Sequence, residues 1–192
     1  MIDKIIEPIT NTVKRWIGYK KIVVLGMPEA GKTTFLCHLR EKPYVNEGTS
    51  TDPYESFSVK LENGRMFIDR GVDIGGGESY LSQYPQLIND ADIVFFIFNA
   101  NLYLTNDEYK NKTNVRFDFV YRHIGETKCC IIGSHSDVYR LNNSNNPIEA
   151  IRNMVFDENE YPKKYKELLN TNFVCTNLTD EKSVKKILSK FK

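Results

Sequence analysis

The run Gly26-Met27-Pro28-Glu29-Ala30-Gly31-Lys32-Thr33 constrains this chain of 192 residues more than any other feature. It has the form GxxxxGKT, follows the apolar segment Lys21 to Leu25 and precedes a helical pattern over Lys32 to Arg40. Strand, glycine-bounded loop and helix in that order predict a phosphate-binding loop. Gly26 and Gly31 permit a tight turn and close approach, so that successive backbone N–H groups and a helix N-terminus offer fixed positive potential to oxyanions. Lys32 is expected to reach the β- and γ-phosphates. The Thr33 hydroxyl is expected to ligate an octahedral Mg²⁺, and Thr34 to add a hydroxyl to the α-phosphate. Pro28 and Glu29 make the crown unusual, because one amide donor is missing and a carboxylate stands near the anion. Two readings of Glu29 stay open: it turns outward to meet a partner's cation, or it is an exposed loop carboxylate without a role.

From Lys20 onward short apolar runs alternate with longer amphipathic segments, the pattern of βα units around a mostly parallel sheet. Ile22 to Leu25, Asp92 to Phe98, Cys129 to Ile132 and Phe173 to Cys175 read as strands buried on both faces. Tyr54 to Leu61 and Arg65 to Val72, joined by Glu62-Asn63-Gly64, read as a hairpin, since Asn and Gly both tolerate positive φ. The expected architecture is α/β, a three-layer sandwich with a mostly parallel six-stranded sheet and one antiparallel strand. Thr105 with Glu108 resembles a capping box, and Asn146-Pro147 with Glu149 predicts a helix with proline at its first position. A last helix is predicted from near Thr179, with Val184, Ile187, Leu188 and Phe191 inward and Lys182, Lys185, Lys186 and Lys190 mostly on a solvated face.

Composition excludes more than it assigns. A formal net charge of +1 calls for no nucleic acid and no strongly acidic partner. Cys37, Cys129, Cys130 and Cys175 form no CxxC pair and read as small core residues in a reducing compartment. No run approaches the length of a membrane-spanning helix, so a cytoplasmic protein is expected. Ile at position 2 and the ending Ser189-Lys190-Phe191-Lys192 offer no N-myristoyl or prenyl site. Ahead of the domain, in residues 1–19, Ile2, Ile5, Ile6, Ile9, Val13, Trp16 and Ile17 share one arc of a helical wheel, interrupted by Pro8. This segment is expected either to lie in a lipid interface or to pack on protein.

Some forty residues beyond the loop, Asp73-Ile74-Gly75-Gly76 ends a predicted strand. There a carboxylate can hold a metal ion through water, and the Gly76 N–H can bond a γ-phosphate only while that group is present. Between the two lies a polar stretch, Pro43 to Pro53, in which Thr49, Ser50 and Thr51 are candidate metal hydroxyls. Through GMPEAGKTT, DIGGGE, the segment Ser134-His135-Ser136-Asp137 and a closing Cys175-Thr176-Asn177, the chain resembles the Ras superfamily, most nearly its ADP-ribosylation-factor-like branch. The resemblance runs from about Lys20 to the C-terminus and implies a G domain over residues 20–192 that binds GTP or GDP with Mg²⁺.

On that resemblance Thr51 is expected as the switch threonine over Mg²⁺, with Thr49 as the alternative and Thr33 and Asp73 as companions. Asp137 accepts from the guanine N1–H and exocyclic amine, which adenine cannot match. His135 lies over the base, Ser134 replaces a longer Asn or Thr, and Cys175, Thr176 and Asn177 support the base loosely. Gly77 stands where the family carries a water-orienting Gln. Glu78 follows either as a water-polarising group or as a helix-start carboxylate. A switch with slow, partner-assisted hydrolysis is the expectation, with protein effectors or activators at the switch surface. Two others compete: a nucleotide-locked interaction module, and a P-loop NTPase with relaxed base choice.

Overall fold

The computed structural model describes residues 19–41, 53–54, 57–61, 64–139, 146–157, 167 and 172–191. The N-terminal segment 1–18 and Thr49, Ser50 and Thr51 lie outside the described residues.

Strand β1 (Tyr19–Gly26) leads into α1 (Lys32–Leu39). Next come β2 (Pro53–Tyr54), β3 (Phe57–Leu61) and β4 (Gly64–Asp73), then a 3-10 helix (Glu78–Gln83) and α2 (Tyr84–Asn89). β5 (Ile93–Asn99) is followed by α3 (Ala100–Thr105) and α4 (Asp107–His123). β6 (Lys128–Ser134), α5 (Ser136–Tyr139), α6 (Pro147–Asp157), β7 (Phe173–Cys175) and α7 (Glu181–Ser189) complete the described elements.

The sheet runs β2-β4-β1-β5-β6-β7, with β3 also on β4. Both β2 and β3 pair antiparallel along the edge of β4 that faces away from β1, and Pro53↔Val72 and Leu61↔Gly64 belong to one unbroken register. The seven segments therefore fill six positions, all parallel except the β2/β3 edge, as the apolar runs and the hairpin predict. Gly64 belongs to β4 at φ 125°, one residue earlier than the hairpin reading places the strand.

All seven residues of β5 are buried because helices cover both faces. Successive side chains alternate between the faces: Phe95 meets Phe35 of α1 and Phe191, with ring centroids 5.0 and 5.6 Å apart. Phe96 and Phe98 instead meet Phe117 of α4 at 5.1 and 6.4 Å. Burying each such ring contributes roughly 1.5–3 kcal/mol. These contacts make the three layers.

Two predicted helix starts move. Thr105 closes α3, its Oγ1 donating to Asn101 O at 2.8 Å, so it cannot cap α4. Asn106 does that, accepting from Tyr109 N–H at 2.9 Å. The last helix starts at Glu181, capped by Asp180, while Thr179 is bound into the preceding turn by Asn177 Oδ1. The proline start of α6 stands, with Asn146 Oδ1 accepting from Glu149 N–H at 3.3 Å. Val184, Ile187, Leu188 and Phe191 are buried as their spacing predicts.

Candidate functional site

The parallel strands β1, β4, β5, β6 and β7 all end at one edge of the sheet, and the loops leaving that edge carry the sequence motifs. β1 ends in Gly26 at φ 138°, where an added Cβ would stand 1.9 Å from Ile97 O. Only glycine lets the chain turn against β5 here. The Met27 N–H then bonds Ile97 O at 3.0 Å, fixing the root of the loop. Met27 and Ala30 are buried beneath it, while Pro28 and Glu29 form an exposed crown.

Glu29 takes φ 55°, a left-handed conformation unusual for a residue with a side chain, and Gly31 caps α1 at φ 86°. The helix's backbone bonding begins with Phe35 N–H to Gly31 O at 2.9 Å, so the first-turn amides at Lys32, Thr33 and Thr34 face its open end. Lys32 is nearly buried, 7% exposed, and folds back across the loop to donate from Nζ to Met27 O at 2.8 Å. Its charge is thereby held over the cradle. Thr33 is exposed and Thr34 half-buried.

Asp73 ends β4 beside Val24 in the parallel ladder, which puts its backbone next to the last turn of β1 before the loop. Its side chain lies outside the description. Ile74 is buried, and Gly76 packs directly on the crown: a Cβ there would lie 2.2 Å from Pro28 N. Gly77 is exposed, and Glu78 begins the 3-10 helix with Gly77 as its N-cap. Between the crown, Gly77, Glu78 and the start of α4 lies a cavity of about 410 Å³.

The second cluster sits at the ends of β6 and β7. Ser134 is buried, its hydroxyl donating to Phe98 O at 3.1 Å and standing 2.8 Å from His135 Nδ1. His135 turns the chain at φ 59° and is half-buried; Asp137 is exposed on the single turn of α5. Two backbone bonds join this segment to the next, Thr176 N–H to Gly133 O at 2.9 Å and Ser136 N–H to Thr176 O at 3.4 Å. Cys175 is half-buried against Gly133, and Asn177 binds Thr179 through Oδ1. Leu178 then packs on Gly31, its Cδ1 3.2 Å from where a Cβ would be, so the second cluster rests on the phosphate loop.

The shape and charge of the loop fit a polyphosphate. The loop leaves no room for Cβ atoms at Gly26 and Gly76, and Lys32 and the helix end supply positive potential. No group of three His, Cys, Asp or Glu able to hold a metal ion occurs among the described residues. A Mg²⁺ ligated chiefly by phosphate oxygens and water would require no such group.

Three participants escaped the sequence. Arg116 of α4 reaches Gly76 O from Nη2 at 2.7 Å and Met27 Sδ from Nη1 at 3.0 Å. Tyr84 accepts from Gly26 N–H at 3.3 Å; burial raises its pKa above the ordinary phenolic value, opposed by that bond and by the nearby Arg116 charge. Tyr109 accepts from Asn99 N–H at 2.8 Å, and burial likewise pushes its hydroxyl up. A signal for Arg116 was present: Thr113, Arg116, Phe117 and Val120 follow helical spacing and are the buried face of α4.

Comparison with known proteins bears on the same span. The Ras family model matches residues 21–191. Over 81 residues the chain is 26% identical to ADP-ribosylation factor-like protein 10 of Mus musculus, covering 42% of this chain and 32% of that protein. The chain thus spans about a third of that relative's length.

Proposed function

Because the chain belongs to the Ras family, we propose that it is a GTP-binding switch whose two states differ in how the segment after Asp73 meets the phosphate loop. The observation that carries this reading is the seating of Gly76 on the crown at Pro28, with Lys32 held across the same loop. A γ-phosphate bound there would meet loop amides, the Lys32 ammonium and the Gly76 N–H together, and its loss would remove the last of these contacts. Thr33 and Asp73, with Thr51, would hold Mg²⁺, which neutralises charge on the β- and γ-phosphates. Asp137, exposed at the second cluster, would select guanine by accepting from its N1–H and exocyclic amine.

Hydrolysis in this reading is slow without help. Gly77 has no side chain to orient water, and Glu78 starts a helix on the exposed side. Partners that read the switch segments, or that add a positioning group, complete the reaction. Titration calorimetry with GDP and a non-hydrolysable GTP analogue, each with Mg²⁺, tests the reading. Binding of both is expected, with a loss of at least about a hundredfold in Lys32→Ala and a shift toward ATP acceptance in Asp137→Ala. No heat from any nucleotide would sink it.

A second reading, a module that keeps one nucleotide permanently, is favoured by Pro28, which lacks an amide proton at the crown, together with Gly77 and the altered base motif at Ser134 and His135. Nucleotide that co-purifies and does not exchange over many hours would select it. Relaxed base choice is the third reading, suggested by Ser134 and His135. Equal competition of ATP with GTP for wild-type protein would select that one.

A further inference from the structure

Arg116 is 3% exposed on the inner face of α4, deep enough that its charge needs strong partners. It spends its donors on a carbonyl and a sulfur: Nη2 on Gly76 O at 2.7 Å and Nη1 on Met27 Sδ at 3.0 Å. The Tyr84 hydroxyl, which takes the Gly26 N–H, lies beside the same guanidinium. Its Nε finds no acceptor among the described residues. One buried cation therefore touches Met27 at the root of the phosphate loop, Gly76 after β4, and Tyr84 of α2. Lys112, one turn earlier on α4, pairs instead with Glu108 at the surface.

We propose that Arg116 is a positioning residue that clamps the Gly76 carbonyl and so sets the segment after Asp73 in the arrangement that senses a third phosphate. In a trans peptide the carbonyl and the following N–H point opposite ways. Tying Gly76 O to α4 therefore fixes the Gly76–Gly77 peptide, turns the Gly77 N–H away from α4, and restrains on Pro28 the residue whose own N–H the switch reading assigns to the third phosphate. An apolar side chain of similar volume would fill the space without fixing that peptide. The inference rests on the nucleotide-switch reading, but the clamp itself is a contact within the protein alone.

The test compares wild type, Arg116→Met and Arg116→Lys in the full chain. Its readout is the ratio of dissociation constants for GDP and a non-hydrolysable GTP analogue, each with Mg²⁺. Arg116→Met is expected to weaken the triphosphate by about tenfold, the size of a lost hydrogen bond from a charged donor, while GDP affinity falls far less. Arg116→Lys keeps the charge but reaches with a single head group, and is expected to lose about threefold. An unchanged ratio, or an equal fall for both nucleotides, overturns the proposal, because a merely structural role would move both together. If wild type binds neither nucleotide, the switch reading falls, and amide hydrogen exchange over residues 74–80 in nucleotide-free protein decides the clamp. Faster exchange in the variants supports it, and unchanged exchange overturns it. Should the Met variant not fold, the Lys variant carries both measurements with the same criteria.

Discussion

Gly26 and Gly77 are equivalent letters in the sequence and opposite cases in the structure. At Gly26 a Cβ would stand 1.9 Å from Ile97 O with φ at 138°, so Gly26→Ala must break the junction of loop and β5. At Gly77 the nearest atoms to an added Cβ are 3.6 Å away, and the backbone, at φ −71° and ψ 159°, suits any residue. Gly77→Gln is therefore expected to fold with stability within about 0.5 kcal/mol of wild type, while Gly26→Ala loses about 3 kcal/mol or more in urea melts. The Gln variant is also expected to cleave GTP at least about tenfold faster in single-turnover assays, since a side chain able to orient water is restored. A variant no faster than wild type would show that the missing side chain does not limit hydrolysis. The residues of the phosphate loop were legible because turn, strand and helix signals coincide within a few positions. Arg116 was not, since a charged residue on a core-facing stripe acquires meaning only from what it meets.

Elements were legible where local chemistry acts alone and shifted where two helices compete for one boundary. Thr105 and Glu108 match a capping box, yet α3 extends through Thr105 and uses its hydroxyl internally. The chain bends at Asn106 instead, and the Asn106 side chain takes one of the orphan amides of α4, that of Tyr109. Asn106→Ala is expected to cost about 1 kcal/mol in chemical denaturation, and Thr105→Ala less than half as much. The reverse order would return the cap to Thr105. The short helix α3 was missed because its cap, Asn99, is also the last residue of β5, one beyond the predicted strand, so strand passes into helix with no intervening turn; its side chain accepts from Leu102 N–H at 3.1 Å.

Across the whole molecule, the apolar reading of the cysteines has a consequence for stability. Cys129 and Cys130 are buried in β6, and burial pushes the Cys130 thiol up to about 12 and that of Cys129 higher still. In the unfolded chain these thiols ionise near pH 8.5. Above that pH the unfolded state binds fewer protons than the folded one, so stability is complete below it and falls as pH rises toward 12. Each thiol removes about 1.4 kcal/mol per pH unit in that window. Cys175, pushed up to about 12 by burial, adds a third such thiol; urea melts at pH 7.5 and pH 9.5 are expected to show this loss, and Cys130→Ala to show about two-thirds of the thiol part. Equal losses in wild type and variant would mean that other groups govern the alkaline limb.

The amino-acid sequence alone determined the sheet, its one antiparallel edge and the phosphate-binding loop. Short continuous apolar runs, turn residues and glycine spacing are local properties and act wherever the chain goes. Tertiary structure alone decided how the motifs touch: Gly76 on Pro28, Leu178 on Gly31, Tyr84 on Gly26, and Arg116 tying Gly76 to Met27. Those pairs lie some 40 to 150 positions apart, and no spacing rule reaches that far. They exist because close packing of helices against both faces of one sheet leaves each buried donor only the acceptors that the fold brings to it.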